Sequence, residues 1–187
     1  MEVELVAHTP DPAWVIEQAA SVCYDSTPTR ECKLVMQCYR SGHHSVLEHA
    51  SFTFKISGIS RACSHQLVRH RMASYSQRSQ RYCDEDGFGY VTPPSIELSS
   101  YHDSIENALD EYVHLKNSMG RPAEDARYVL PNACVTTIYV TMNLRSLIIK
   151  TLGGLDSSTT NQKFFRVANG EICDLMNDRF VKKTHPN

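Results

Sequence analysis

The chain has 187 residues, 41% hydrophobic and 21% charged, with a net charge of −2 and a pI of about 6.5. That composition argues against disorder and against a broad nucleic-acid surface, which carries basic charge along a face. No apolar run approaches the roughly 20 residues that span a bilayer. Met1-Glu2-Val3-Glu4 lacks a basic leader, and the seven cysteines contain no Cys-x-x-Cys pair, as suits reduced thiols. One domain over residues 1–187 is expected, in the cytoplasm, with no membrane and no nucleic-acid partner.

Residues 2–7 alternate as an opening strand. Asp11 followed by Pro12 is an N-cap with proline at the first helical position, leading into a helix over 13–22. A second helix over about 31–41 buries Leu34, Val35 and Cys38 and stops at Gly42. Ser45 and Glu48 have the spacing of a capping box. Residues 52–56 alternate as a half-buried strand, and Ser60 opens a helix that delivers Arg69. The Gly- and Pro-rich stretch 84–94 reads as a loop and candidate mobile lid. Ile105, Ala108, Leu109, Tyr112 and Leu115 mark a long amphipathic helix over about 99–119, closed by Gly120. Pro122 starts a short helix over 123–130, and 135–142 is a β-branched strand. Asn143 caps the next helix, which stops at Gly153-Gly154, and a last helix spans about 161–180. Helices and strands without βαβ alternation give an α+β fold, a mixed or antiparallel sheet packed by helices.

The segment 69–81 concentrates chemistry. It holds Arg69, Arg71, Arg78 and Arg81, His70 and four hydroxyls, and no Asp or Glu occurs between Glu48 and Asp84. Guanidiniums grip oxyanions in forked geometry, so a compact cluster on a near-neutral chain suits phosphorylated small molecules. The histidines at 43, 44 and 49 match no zinc spacing, and no metal is expected. Taken singly, these residues have plainer readings. Ser45 and Glu48 serve as a helix cap, Asn143 as an N-cap, Arg145 as a solvated helix residue, and Arg127 as a partner of Glu124 or Asp125.

Arg69-His70-Arg71, seven residues, then Ser79 resembles the signature of the flavin-dependent thymidylate synthases. The segment from Gly42 to His49 is similar to that family's Gly-His-x-Ser/Thr-x-x-Glu-His block. Ala126-Arg127-Tyr128-Val129-Leu130-Pro131 and Met142-Asn143-Leu144-Arg145 resemble two further blocks, in the family's order. The resemblance implies reductive C5 methylation of dUMP to dTMP. FAD is the implied cofactor, with NADPH and 5,10-methylenetetrahydrofolate as co-substrates, in a homotetramer whose subunits share active sites. It places Gln66, Arg69, Gln77, Arg78, Ser79, Gln80, Arg81 and Arg127 at the nucleotide. It places Ser45, Arg69, His70, Arg71, Asn143 and Arg145 at FAD, with His43 and Glu48 near flavin and folate. Ser79 is assigned to binding, since an unactivated serine is a weak nucleophile.

Three family features depart in the C-terminal third: the asparagine expected one turn after Arg145 is Ile149, the chain ends soon after Phe180, and the family's pyrimidine-activating arginine is missing. The arginine that lies against the pyrimidine edge falls at Gly154, or at Asp156 when the alignment slides by two residues, so the catalytic group is unassigned. Lys150 and Arg166 are the cations available to replace it. Two other readings therefore stay open. One is a related enzyme modifying C5 of another pyrimidine nucleotide, and the other is a non-catalytic flavin- or nucleotide-binding homologue.

Overall fold

The computed structural model describes residues 1–96 and 99–152, the last four as backbone only. Gly154, Asp156, Arg166, the Lys150 side chain, the Gly153-Gly154 stop and the helix expected over 161–180 lie outside the described residues. The elements run β1 (Glu2–His8), α1 (Pro12–Cys23), α2 (Lys33–Arg40), a 3-10 turn (His44–His49), β2 (Ser51–Ser60), α3 (Arg61–Leu67) and β3 (Ser74–Gln77). They continue with α4 (Ser99–Val113), a π-helical turn (His114–Ser118), α5 (Ala123–Ala126), a 3-10 turn (Arg127–Val129), β4 (Val135–Asn143) and α6 (Leu144–Leu152). The four strands form one antiparallel sheet in the order β1-β2-β4-β3. The fold is α+β, as its sequence indicates.

The chain falls into two compact units. The first comprises Met1–Glu2, Ile56–Arg69 and Ser76–Ile138; the second comprises Val3–Lys55, His70–Tyr75 and the described residues from Tyr139. In the second unit α1, α2, the 44–49 turn and α6 pack together. Ala13, Ile16, Ala20, Val35, Cys38, Val46, Leu47 and Leu147 are buried there. Asp11 caps α1 by accepting from the Trp14 amide at 3.4 Å. The start of α2 has no side-chain cap of its own; the buried Glu17 carboxylate accepts from the Val35 amide at 3.2 Å instead, satisfying a donor that a helix start leaves open.

β2 buries Phe52, Phe54 and Ile56, then slips register so that Ile59 is the next buried residue. Gly58, at φ +73, takes up the slip, as a left-handed glycine does in a β-bulge. The long helix is shorter than its sequence suggests. α4 ends at Val113 and the chain widens into the π turn before Gly120, at φ +61, ends the segment.

Three local expectations change. Residues 74–77, read only as part of the arginine segment, form strand β3. The capping box at Ser45 is not made: Ser45 lies inside the 3-10 turn, His43 precedes it without a side-chain cap, and Glu48 bonds elsewhere. The stretch 84–94 lacks helix and strand but is tied down. The Val91 amide donates to the Ala133 carbonyl at 2.9 Å and the Val135 amide to the Gly89 carbonyl at 2.8 Å. Tyr90 forms an antiparallel bridge with Cys134.

Candidate active site

The residues assigned to nucleotide all belong to the first unit, and all those assigned to flavin, apart from the shared Arg69, belong to the second. In the first unit β3 ends at Gln77, whose side-chain amide donates to Ser64 Oγ at 2.7 Å and Thr136 Oγ1 at 3.2 Å. Both hydroxyls are buried, so Gln77 is held rigidly. Arg78 follows, its amide donating to the Thr137 carbonyl of β4 at 3.0 Å. A turn comes next. The Cys83 amide donates to the Ser79 carbonyl at 3.0 Å, and the Arg81 amide donates to Ser79 Oγ at 3.2 Å. Among the described residues no imidazole or carboxylate bonds to Ser79, which fits binding rather than nucleophilic attack.

Two carboxylates divide the arginines. Arg81 Nη2 pairs with Glu124 at 2.9 Å, while Arg127 Nε donates to the Glu124 backbone carbonyl at 3.1 Å. The plain reading of Arg127 as a partner of Glu124 thus holds for the main chain, and the carboxylate belongs to Arg81. Arg78 Nη1 donates to both oxygens of Glu85 at 2.9 Å, and Nη2 donates to the Asp84 carbonyl at 2.8 Å. Gln66 and Arg69 are exposed at the end of α3, and Gln80 is half-buried.

Sequence reasoning missed Arg61. It reads as the first residue of a helix, yet its Nη1 donates to the Arg78 carbonyl at 3.0 Å. Burial lowers its pKa; the Glu85 charge opposes that shift and Arg127 adds to it. Arg61, Arg78, Arg81 and Arg127 therefore share one neighbourhood with Glu85 and Glu124. The guanidiniums outnumber the carboxylates paired directly with them, which suits a phosphate oxyanion. Only its place eight residues before Arg69 signals Arg61, and that spacing has no local meaning in a helix.

In the second unit the 44–49 turn and the start of α6 come together. The Leu144 amide donates to the Ala50 carbonyl at 2.9 Å, and Arg145 Nη1 donates to Glu48 Oε1 at 2.5 Å. Asn143 caps α6, its Oδ1 accepting from the Ser146 amide at 2.9 Å. Among the described residues its amide nitrogen has no partner and keeps both donors. The Tyr24 hydroxyl bonds His43 Nδ1 at 3.3 Å, and His44 stacks on Tyr39. The His70 carbonyl accepts from the Tyr75 hydroxyl at 2.9 Å, which burial pushes up to about 12. Arg71 is exposed, as is Ser45, and among the described residues neither Arg69 nor Arg71 has an ion-pair partner.

These donors fit a flavin dinucleotide. Within the second unit the Arg71 guanidinium suits a pyrophosphate, and the Asn143 amide donors suit carbonyl or phosphate oxygens. Two buried cysteines, Cys63 and Cys134, are unsuited to nucleophilic work, because burial pushes each thiol up to about 11 and leaves on the order of one in ten thousand as thiolate near neutrality.

The family model described as thymidylate synthase complementing protein matches residues 4–177. The flavin-dependent thymidylate synthase of Geobacter sulfurreducens is 47% identical over 165 residues, covering 79% of this chain and 71% of that protein. The enzyme of the same description from Clostridium tetani is 36% identical over 224 aligned positions, covering 100% of this chain and 84% of its own. Among solved structures, the flavin-dependent thymidylate synthase of Helicobacter pylori complexed with FAD and dUMP superposes with a TM-score of 0.75 at 25% identity, over 95% of this chain and 99% of that one. A UMP/dUMP methylase from Streptomyces cacaoi has the same TM-score at 23% identity, over 97% of this chain and 94% of its own, a likeness of fold.

Proposed function

The chain belongs to the thymidylate synthase complementing protein family, that of the flavin-dependent thymidylate synthases, and from it we propose that this protein methylates C5 of dUMP to give dTMP. Methylenetetrahydrofolate is the carbon donor and NADPH the reductant. The observation that carries the reading is the arginine cluster built around Ser79 and Gln77, in which guanidiniums outnumber the carboxylates paired directly with them. Arg81, Arg127 and Arg61 take the phosphate, while Ser79, Gln80 and the anchored Gln77 offer hydrogen bonds to sugar and base. Gln66 and Arg69, at the end of α3, complete the nucleotide side.

FAD is held by Ser45, Arg69, His70, Arg71, Asn143 and Arg145, with His43 and Glu48 beside flavin and folate. When bound, FAD supplies the hydride that completes the methyl group. The chain's own residues bind and orient. Glu48 fixes Arg145 in place, Asn143 has its donors left for a ligand because its oxygen is committed to the helix, and the cations favour negative charge building on the pyrimidine. The two thiols held near 11 support a route that does not depend on Cys63 or Cys134 as nucleophile. The continuous match over 4–177 supports one such domain. We assign it to the cytoplasm as a homotetramer with shared sites; among the described residues no helix is long and apolar enough to cross a membrane.

The test is anaerobic dTMP formation from dUMP by the purified protein with FAD, NADPH and methylenetetrahydrofolate. Product supports the reading, and Arg127→Gln should then weaken dUMP binding by about tenfold, the scale of a charge-assisted bond. If no product forms while flavin and dUMP still bind, methylation of dUMP is refuted. Repeating the assay with UMP and dCMP then separates a related C5-modifying enzyme from a non-catalytic homologue.

A further inference from the structure

Arg78 sits in the middle of the phosphate-binding arginines, yet its guanidinium is turned onto protein. Its partner Glu85 has a side chain only 2% exposed, against 42% for Arg78. A carboxylate so buried is tolerable only when paired, and removing one member of such a pair leaves an uncompensated charge. Glu85 is held from a second side, its amide donating to the hydroxyl of the fully buried Tyr112 at 3.3 Å. Its neighbours are held too. Lys116 bonds Asp84 and, at 3.3 Å, Asp86, and Asn117 Nδ2 donates to the same Asp86 oxygen at 3.3 Å.

Lys116 and Asn117 both come from the π-helical turn that ends the long helix. Such turns are rare and occur frequently at functional sites. The bonds form one continuous path from the π turn, through residues 84–86, to Arg78, whose amide and carbonyl are also fixed. The next three residues are Ser79, Gln80 and Arg81.

We propose that Glu85 and Lys116 are positioning residues for nucleotide binding, acting through Arg78, which holds the Ser79–Arg81 turn ready for the phosphate and does not itself contact the ligand. The proposal rests on the reading that dUMP occupies this site. A segment fixed before the ligand arrives loses less conformational freedom on binding, so the brace acts on affinity.

The experiment is calorimetric titration of FAD-loaded full-length protein with dUMP, alongside steady-state kinetics. Glu85→Gln should raise the Kd and KM for dUMP about tenfold and Lys116→Met about threefold, with kcat at saturating dUMP within about twofold of wild type and flavin content unchanged. Lys116→Arg should restore the affinity, an effect that general destabilisation does not produce. Unchanged dUMP affinity in both weakened variants overturns the brace, as does a fall in kcat with KM intact. Should Glu85→Gln fail to fold, Lys116→Met and its arginine rescue decide by the same criteria. A wild-type protein that holds flavin but binds no dUMP refutes the nucleotide reading itself and the brace with it, a result distinct from equal binding by wild type and variants.

Discussion

Asn143 is the residue at which a structural and a functional role separate most cleanly. Its Oδ1 accepts from the Ser146 amide at the start of α6, which identifies the oxygen and leaves the amide nitrogen with two donors for a ligand. Asn143→Ala removes both roles. Loss of an N-cap costs about 1 kcal/mol, and a chain of this length loses roughly 2–4 °C in melting temperature for each kcal/mol. Asn143→Asp keeps an acceptor at the helix N-terminus, where negative charge is favourable, so its melting temperature should stay within about 1 °C of wild type. It removes the donors and places a carboxylate where the pyrophosphate is proposed to lie, so FAD affinity should fall about tenfold or more. Thermal melts of the flavin-free protein at one fixed concentration measure the first effect, and flavin absorbance after dialysis against graded FAD measures the second. If Asn143→Asp matches wild type in both, the residue is a cap and nothing more. If Asn143→Ala melts with wild type, the capping argument itself is wrong.

Phe54 is fully buried in β2, and Phe54→Ala should cost about 3–5 kcal/mol, read as a lower urea midpoint at unchanged slope. Burial raises Cys63 and Cys134 from 9.0 to about 11 and Tyr75 from 10.0 to about 12. Such groups stay protonated in the folded chain after the unfolded chain begins to lose its protons, so their contribution is complete below about pH 9 and is lost as pH rises towards 12. Melting temperature, followed by circular dichroism, should therefore hold between about pH 7 and 8.5 and fall above 9. Cys63→Ser with Cys134→Ser should flatten the lower part of that fall, and an unchanged profile would contradict the assigned shifts.

Local signals in the sequence carried most of the fold because they are local in cause. Asp11-Pro12, Ser60 and Asn143 each mark a helix start through a bond within three residues. The capping box at Ser45 and Glu48 failed because a partner 97 residues away took the carboxylate, and no local rule counts distant competitors. β3 went unread for a similar reason: a four-residue strand in a polar, arginine-rich stretch has no apolar alternation, and its pairing comes from β4. Residues 84–94 looked like a lid on composition alone, whereas the bonds that pin them come from residues 112–117 and 133–135. The motif marked the arginine segment as a whole and could not show that the Arg78 guanidinium is bonded to Glu85.

That distinction has an electrostatic reason. Four guanidiniums in one neighbourhood repel one another, and in a partly buried setting the repulsion is weakly screened. An empty site without counter-charge would favour a displaced loop; at Arg61 burial is the main cause of the lowered pKa, with the Arg127 charge a smaller contribution in the same direction. Two carboxylates relieve part of the repulsion unequally. Glu85, buried, commits Arg78 fully, whereas Glu124, half exposed, holds Arg81 in a solvent-screened surface pair that is readily exchanged for a ligand. A phosphate dianion can thus displace the Arg81–Glu124 contact but not the Arg78–Glu85 contact. On the proposed dUMP reading, the brace at Arg78 persists when Arg81 turns to the ligand. Replacing Glu124 by Gln should accordingly tighten dUMP, while replacing Glu85 by Gln should loosen it, although each change removes one negative charge from the same cluster. Calorimetric dUMP affinities of opposite sign would bear out this division of labour, and shifts in the same direction would refute it.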